Sequence, residues 1–218
     1  MTLYLDSASV DDARRSAALG YVAGITTNPA LLAATGGAPT EVIPALCDVH
    51  PGTVFYQPIA AEAVAREAEV RRIAGLRPGR VGIKLPAQPD NFPLGARLVA
   101  EGYVVGITAI FSPAQVFVSC AAGVAFVVPY VNRSTRLLGD GPGLVRGMRA
   151  VIDACGSPVR ILAASIKSPD EAMEAILAGA HALTLPLALI QELGRHELSE
   201  RAIADFAEAV RGTSAGAP

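Results

Sequence analysis

The segment YVVGITAIFSPAQVFVSCAAGVAFVVPY (103–130) contains a strand-like run, a helix start, a helix stop and a second strand-like run. The runs YVVGI and AFVVPY are almost continuously apolar, which favours parallel strands covered on both faces. Between them, Ser112, Pro113 and Gln115 have the pattern of a capping box with proline at the first helical position. Gly123 stands where the helix should end. The segment therefore predicts one strand–helix–strand unit.

This unit recurs along the whole chain. Eight candidate strands begin at Leu3, Tyr21, Thr53, Arg80, Tyr103, Ala125, Val159 and Ala182. Ser9 and Asn28 are predicted N-caps, and Ser168 with Glu171 predicts a second capping box. Eight such units in 218 residues predict an α/β protein, a closed (β/α)₈ TIM barrel that forms one domain over residues 1–218. An open doubly wound sheet is the alternative, but no G-x-G-x-x-G motif follows an early strand.

The end of the chain predicts two further features. Residues 197–210 are expected to form an amphipathic C-terminal helix, packed on its own barrel or on a neighbouring subunit. Its apolar side consists of Leu198, Ile203, Phe206 and Val210. The small and polar residues of 211–218 are expected to form a frayed tail.

The amino-acid composition limits the kinds of partner that this protein is expected to bind. Hydrophobic residues make up 51% of the chain, charged residues 17%, and the net charge is −2, so neither a nucleic acid nor a membrane is an expected partner. The three cysteines lie far apart in sequence, and no secretory signal precedes them, which predicts reduced thiols and a cytoplasmic location. The three histidines have no metal-ligand spacing, so no metal is expected.

Polar residues stand where the predicted strands end. Active sites of such barrels lie at the C-terminal ends of the strands. The candidate site residues at these positions are Asp6, Thr26, Asn28, Gln57, Lys84, Thr108, Tyr130, Arg133 and Ser165.

Lys84 is the most informative of these residues. In VGIKLP (81–86), Val81 and Ile83 share one face of the strand, and Gly82 and Lys84 share the other. If the β-branched pair packs under the helices, Lys84 points into the barrel, where burial lowers the pKa of its amine. A neutral amine can attack a ketone and form a Schiff base. The alternative is a lysine that extends to the barrel rim.

Three other candidates suit proton transfer. Tyr130 can act as acid and base, while Gln57 and Thr108 can hold a water that relays the proton. The alternative for Tyr130 is an ordinary amphipathic side chain at the barrel mouth. Asp6 can orient a substrate hydroxyl or the imine, or it can cap the following helix.

Phosphate binding is predicted for the later strands. Arg133 offers a planar fork of donors, and Ser165 adds a hydroxyl and a backbone N–H. The alternative for Arg133 is a surface arginine. Asn28 is also a natural N-cap, which competes with a role in substrate binding.

Taken together, these motifs resemble the transaldolase family, and within it the fructose-6-phosphate aldolase-like branch. The matching stretches are LDSA (5–8), GITTNPALL (24–32), VGIKLP (81–86), GITAIFSPAQ (106–115), VVPYVNR (127–133), GDG (139–141), ILAASIKSP (161–169) and ALTLPL (182–187). The chain departs from the family pattern at Pro58 and in the proline-rich loop PAQPDNFPLG (86–95), both at the expected pocket rim.

The resemblance implies a class I aldolase barrel in which Lys84 forms the imine, without a cofactor or a metal. It implies that Asp6 and Asn28 orient the donor, that Arg133 and Ser165 hold the phosphate, and that the protein is a homo-oligomer. Transaldolases proper usually have glutamate at the position of Gln57 and phenylalanine at that of Tyr130. The resemblance therefore implies the aldolase branch.

The expected reaction is reversible cleavage of a ketose phosphate such as fructose 6-phosphate into dihydroxyacetone and glyceraldehyde 3-phosphate. Sugar phosphates, dihydroxyacetone or hydroxyacetone-like donors and aldehyde acceptors are the expected small-molecule partners. The first alternative is a transaldolase that transfers a dihydroxyacetone unit between sugar phosphates. The second is a non-catalytic barrel that binds sugar phosphates.

Overall fold

The computed structural model describes residues 2–214. Its strands are β1 Thr2–Asp6, β2 Val22–Thr26, β3 Thr53–Tyr56, β4 Val81–Pro86, β5 Val105–Ile110, β6 Phe126–Pro129, β7 Arg160–Ala163 and β8 Ala182–Leu185. Its helices are α1 Val10–Ala18, α2 Pro29–Ala34, α3 Pro39–Val49, α4 Ala63–Gly75, α5 Asn91–Ala100, α6 Pro113–Ala121, α7 Val131–Leu138, α8 Gly141–Ala154, α9 Pro169–Leu177, α10 Leu187–Glu192 and α11 Glu197–Ser214.

All eight strands are parallel and form one closed barrel in sequence order. Closure occurs between β1 and β8, where Leu3 pairs with Leu183. The predicted (β/α)₈ barrel is confirmed. Two helices rather than one follow β2, β6 and β8, so the described chain exceeds one helix per strand.

An aromatic cluster fills the part of the barrel interior that lies towards the N-terminal ends of the strands. Tyr4, Phe55 and Phe126 are buried and meet pairwise edge-to-face, with ring centroids 5.7–6.2 Å apart. The neighbouring strand supplies Gly82, where a Cβ would lie 2.6 Å from the Phe55 ring. A glycine is required here because any larger residue would overlap the ring. The cluster forms the floor on which the next layer of side chains rests.

The predicted helix starts are largely confirmed. Ser9, Asn28 and Ser112 each accept a hydrogen bond from the backbone N–H three residues later, and Ser112 with Gln115 forms a complete capping box. Ser168 also caps its helix, but the expected box is incomplete. The carboxylate of Glu171 accepts from the Lys167 backbone N–H and from the Asn132 side chain. A polar neighbour on α7 has therefore replaced the local partner.

The C-terminal helix α11 begins at Glu197, as expected, and continues to Ser214, past the predicted end at residue 210. Residues 211–214 of the expected tail are thus helical, and residues 215–218 lie outside the described residues. On α11, Leu198, Ile203 and Phe206 are 66–72% exposed. No helix within residues 2–214 is both long and apolar enough to cross a membrane.

Candidate active site

A layer of polar side chains lies directly above the aromatic floor. Because side chains alternate along a strand, residues two positions beyond an inward-facing residue also face inward. Tyr4, Phe55 and Gly82 belong to the floor, so Asp6, Gln57 and Lys84 belong to the next layer. By the same alternation Thr26, Thr108 and Thr184 follow Gly24, Gly106 and Ala182 in β2, β5 and β8.

Lys84 is buried in this layer, with 4% of its surface exposed. Its Nζ donates a hydrogen bond of 2.7 Å to the backbone carbonyl of Thr27. Burial lowers the pKa of the amine to about 8, and the nearby Asp6 carboxylate opposes part of this shift. A substantial fraction of the amine is therefore neutral, and nucleophilic, near physiological pH.

Asp6 is joined to two threonines. The hydroxyl of Thr26 donates to Oδ1 of Asp6 at 2.8 Å, and the hydroxyls of Thr26 and Thr184 are 2.6 Å apart. Both threonines are buried, so this chain of hydrogen bonds holds the carboxylate in one orientation. The hydroxyl of Thr26, one of the candidate site residues, is thus occupied in holding Asp6. Asp6 itself does not supply the N-cap of α1, which is Ser9.

The structure brings the hydroxyls of Tyr130 and Thr108 together. Thr108 Oγ1 lies 3.3 Å from Tyr130 Oη, and the ring of Phe111 packs edge-to-face on the Tyr130 ring. Oε1 of Gln57 is buried, and no protein group among the described residues donates a hydrogen bond to it. A buried amide oxygen needs a donor, and a water or a substrate hydroxyl can supply it.

The predicted phosphate residues lie just after β6 and β7, near Tyr130. The guanidinium of exposed Arg133 is 4.8 Å from the centre of the Tyr130 ring, a cation–π contact. The backbone N–H of Asn132 donates to the carbonyl of Ser165 at 2.9 Å, which joins the start of α7 to the segment after β7. Ser165 has a φ of 58°, an uncommon conformation for serine that turns the chain sharply after β7.

Asn28 lies at the end of β2 and caps α2, where its Oδ1 accepts from the Leu31 N–H at 3.0 Å. The cap uses the side-chain oxygen and does not use the amide nitrogen, so capping and ligand binding are compatible for this residue. Within residues 2–214, no group of three or more His, Cys, Asp or Glu side chains is arranged to hold a metal ion.

Sequence reasoning missed several contributors to the site. The Thr27 carbonyl that accepts from Lys84 is a backbone atom and has no sequence signal. Thr184 ends a predicted strand, and its position alone could have marked it as part of the polar layer. Phe111 directly follows β5 and belongs to no motif singled out in the sequence, although its ring packs on that of Tyr130.

Comparison with solved structures supports the fold alone. A mandelate oxidase is similar with a TM-score of 0.60 at 15% sequence identity, over 86% of this chain and 64% of that chain. A flavocytochrome b2 is similar with a TM-score of 0.58 at 13% identity, over 86% of this chain and 56% of that chain. The chain thus spans less than two thirds of both proteins.

Comparison of the sequence is more specific. A family profile described as transaldolase/fructose-6-phosphate aldolase matches residues 3–215. A probable transaldolase of Thermus thermophilus is 38% identical, over 95% of this chain and 97% of that protein. A probable transaldolase of Caulobacter sp. is 33% identical, over 98% of both. The match spans the barrel from first strand to last, and the chain belongs to the transaldolase/fructose-6-phosphate aldolase family, whose enzymes are class I aldolases or transaldolases.

Proposed function

We propose that this protein is a class I aldolase that cleaves and forms a ketose phosphate such as fructose 6-phosphate. The products of cleavage are dihydroxyacetone and glyceraldehyde 3-phosphate. The proposal is supported by the buried Lys84 amine, whose burial lowers its pKa to about 8. Lys84 lies in one layer with Gln57 and with Thr108, whose hydroxyl contacts that of Tyr130.

The proposed reaction begins with attack of the Lys84 nitrogen on the ketone carbon. Proton transfer to the carbonyl oxygen gives a carbinolamine, and loss of water gives the iminium. Removal of the C4 hydroxyl proton breaks the C3–C4 bond, which releases the aldehyde phosphate and leaves an enamine on Lys84. The electron pair of that bond is delocalised into the iminium nitrogen.

Protonation of the enamine at C3 and addition of water then release dihydroxyacetone and the free amine. Tyr130 moves these protons, through a water that Gln57 and Thr108 hold. Asp6, oriented by Thr26, aligns the donor hydroxyls with the amide nitrogen of Asn28. Arg133 and Ser165 bind the phosphate of the substrate.

The second candidate is a transaldolase, in which the enamine attacks the aldehyde of an acceptor sugar phosphate. The names of the similar proteins, probable transaldolases, favour it. Gln57 and Tyr130 favour the aldolase, because the resemblance implies glutamate and phenylalanine at these positions in transaldolases proper. The choice rests on whether water or a sugar releases the intermediate. A barrel that only binds sugar phosphates is disfavoured by the lowered pKa of Lys84.

A product assay with and without erythrose 4-phosphate tests the proposal. We expect fructose 6-phosphate alone to give dihydroxyacetone, and the added acceptor to divert only a minor share. Borohydride added with dihydroxyacetone should leave one reduced adduct on Lys84, and Lys84→Ala should form none. Predominant transfer to the acceptor would identify a transaldolase, and an adduct on another lysine would contradict the proposed nucleophile.

We propose in addition that the protein is a homo-oligomer that uses α11. The exposed apolar residues Leu198, Ile203 and Phe206 are typical of a surface that a partner covers. Light scattering at micromolar concentration should report an assembly larger than one chain. Ile203→Glu with Phe206→Glu should lower its mass, and a monomeric parent would contradict the proposal. The cytoplasmic location stays a prediction.

A further inference from the structure

Two loops that flank the candidate site are joined by one buried arginine. Arg66, in the first turns of α4, is only 8% exposed. Its Nε donates to the Ala60 carbonyl at 3.1 Å, and its Nη2 donates to the Ala61 carbonyl. Its Nη1 donates to Oδ1 of Asn91 at 2.7 Å. Arg66 therefore connects the loop after β3 to the first residue of α5.

Asn91 extends this connection to the end of β4. Its side chain is fully buried, and its Nδ2 donates to the Pro86 carbonyl at 2.8 Å. Pro86 stands two positions beyond Lys84 in the same strand. One chain of side-chain hydrogen bonds thus runs from the backbone just beyond Gln57 to the backbone just beyond Lys84. We call it the Arg66–Asn91 bridge.

Glu69 holds the same loop from the next turn of α4. Its carboxylate accepts from the Ala60 N–H at 2.9 Å, from the Ile59 N–H, and from the Tyr56 hydroxyl. Burial, followed by the Glu69 contact, raises the pKa of that tyrosine, so its hydroxyl stays a donor. Arg66 thus binds carbonyl groups of the loop after β3, and Glu69 binds its amide groups. Together they restrict the conformation of the backbone that follows Gln57.

Gln57 depends on this support because its own side-chain oxygen has no protein donor among the described residues. Its position is therefore set by the backbone on either side of it. Pro58 and the proline-rich loop at 86–95, which both depart from the family pattern, lie in the two segments that the bridge joins. A guanidinium is costly to bury unless its donors are satisfied, and here neutral groups satisfy them.

We propose that Arg66 and Asn91 are positioning residues that fix Gln57 relative to Lys84, so that the water on Gln57 reaches the Lys84 imine. The inference rests on the proposed function. Neither residue contacts the reacting atoms, and each acts through the loop that it holds. Lys84 sets how much imine is present at equilibrium, whereas the placed water relays the protons that govern how fast the imine forms and is hydrolysed. Loss of the bridge should therefore slow turnover and leave the equilibrium amount of imine unchanged.

The test compares Arg66→Lys, Gln57→Ala and the double variant. Lysine keeps the charge, but its single nitrogen cannot reproduce the planar fork whose three nitrogens bind Ala60, Ala61 and Asn91. We expect each single variant to lower kcat for ketose-phosphate cleavage by roughly tenfold or more, with little change in KM. After equilibration with dihydroxyacetone, the amount of imine that borohydride traps at Lys84 should match that of the parent. The double variant should be no slower than the slower single variant, because both changes remove the same contribution.

Two further variants separate positioning from folding. Arg71→Lys is the matched control, since Arg71 lies on α4 and pairs at the surface with Glu67 and Glu101; its kcat should equal that of the parent. Asn91→Asp keeps an acceptor for Arg66 and loses the donor to Pro86, so it tests the bridge if Arg66→Lys does not fold. Asn91→Asp should lower kcat about as much as Arg66→Lys does. Combined with Gln57→Ala, it should lower kcat no further than Gln57→Ala alone.

Three outcomes would overturn the inference. The kcat losses of the bridge and Gln57 variants could multiply, the bridge variants could lose imine trapping, or Arg71→Lys could lose as much kcat as Arg66→Lys. Failure of the proposed function looks different, because the parent protein itself would then show no trapped imine at Lys84, or would pass its intermediate mainly to a sugar phosphate acceptor.

Discussion

The Lys84 amine donates its 2.7 Å hydrogen bond to a backbone carbonyl, that of Thr27, and not to a carboxylate. A carbonyl stabilises the ammonium less than a paired anion would, so burial dominates and the pKa falls to about 8. The Asp6 carboxylate is held by Thr26 and attracts the ammonium at longer range. This arrangement keeps part of the Lys84 amine neutral near neutral pH.

The rate of imine formation should follow the titration of Lys84. Below its pKa of about 8 the neutral fraction falls tenfold per pH unit, and above it the rate should level off. Asp6→Asn removes the attraction that raises this pKa, so the midpoint should shift to lower pH. Borohydride trapping of the imine at a series of pH values measures the midpoint for both proteins. A midpoint near 10 in the parent would contradict the buried amine.

Stability should show the cost of burying Lys84. The pKa falls from 10.5 in the unfolded chain to about 8 in the fold, so between these values the unfolded chain binds more protons. The free energy of unfolding should therefore rise with pH in that window. Lys84→Met should be more stable than the parent by up to about 3 kcal/mol at pH 7, and the difference should shrink towards pH 10.5. Urea denaturation at several pH values checks this, and equal pH dependence in both proteins would refute it.

Arg133→Ala should selectively weaken the binding of phosphorylated substrates. A charge-assisted contact to phosphate contributes about 1.5–3 kcal/mol, which corresponds to roughly a tenfold to hundredfold loss in kcat/KM. Unphosphorylated aldehyde acceptors should be nearly unaffected. Lys167→Ala, at an exposed position after β7, serves as the comparison. Equal losses for both substrate types would mean that Arg133 supports Tyr130 through its ring contact and does not bind phosphate.

Tyr130→Phe should reduce ketose-phosphate cleavage by roughly two orders of magnitude or more, since a positioned acid/base is lost. Gln57→Glu together with Tyr130→Phe should raise the ratio of transfer to cleavage, because an ionisable base then replaces the water-holding amide. Product analysis with erythrose 4-phosphate measures that ratio. Cleavage by Tyr130→Phe at nearly the parent rate would remove Tyr130 from the proton pathway.

Gly82→Ala should destabilise the barrel floor. Its added Cβ would lie 2.6 Å from the Phe55 ring, and overpacking of this kind costs about 1–3 kcal/mol. Phe55→Leu in the same chain makes room, so the double variant should lose less than the sum of the two single losses. Thermal and urea unfolding provide the comparison. Strict additivity would show that the two positions do not interact.

The barrel and the inward position of Lys84 follow from local sequence. The alternation of apolar runs with capped helices predicts the strands and helices. Lys84 stands two positions after Gly82 in one strand, so both face the barrel interior. Both patterns are short-range properties of the chain. Barrel closure brings the residues at strand ends together, so the order of strands along the chain is enough to group Lys84, Thr108 and Tyr130 in one site.

The contacts between segments that are distant in sequence were decided only by the tertiary structure. The Thr27 carbonyl under Lys84, the Thr26–Thr184 pair and the Arg66–Asn91 bridge join residues 25 to 158 positions apart. The Glu171 carboxylate likewise accepts from the Asn132 side chain and not from the backbone N–H of the N-cap residue Ser168. No local pattern encodes such pairs, because they depend on which side chains and carbonyls the closed barrel places within hydrogen-bonding distance.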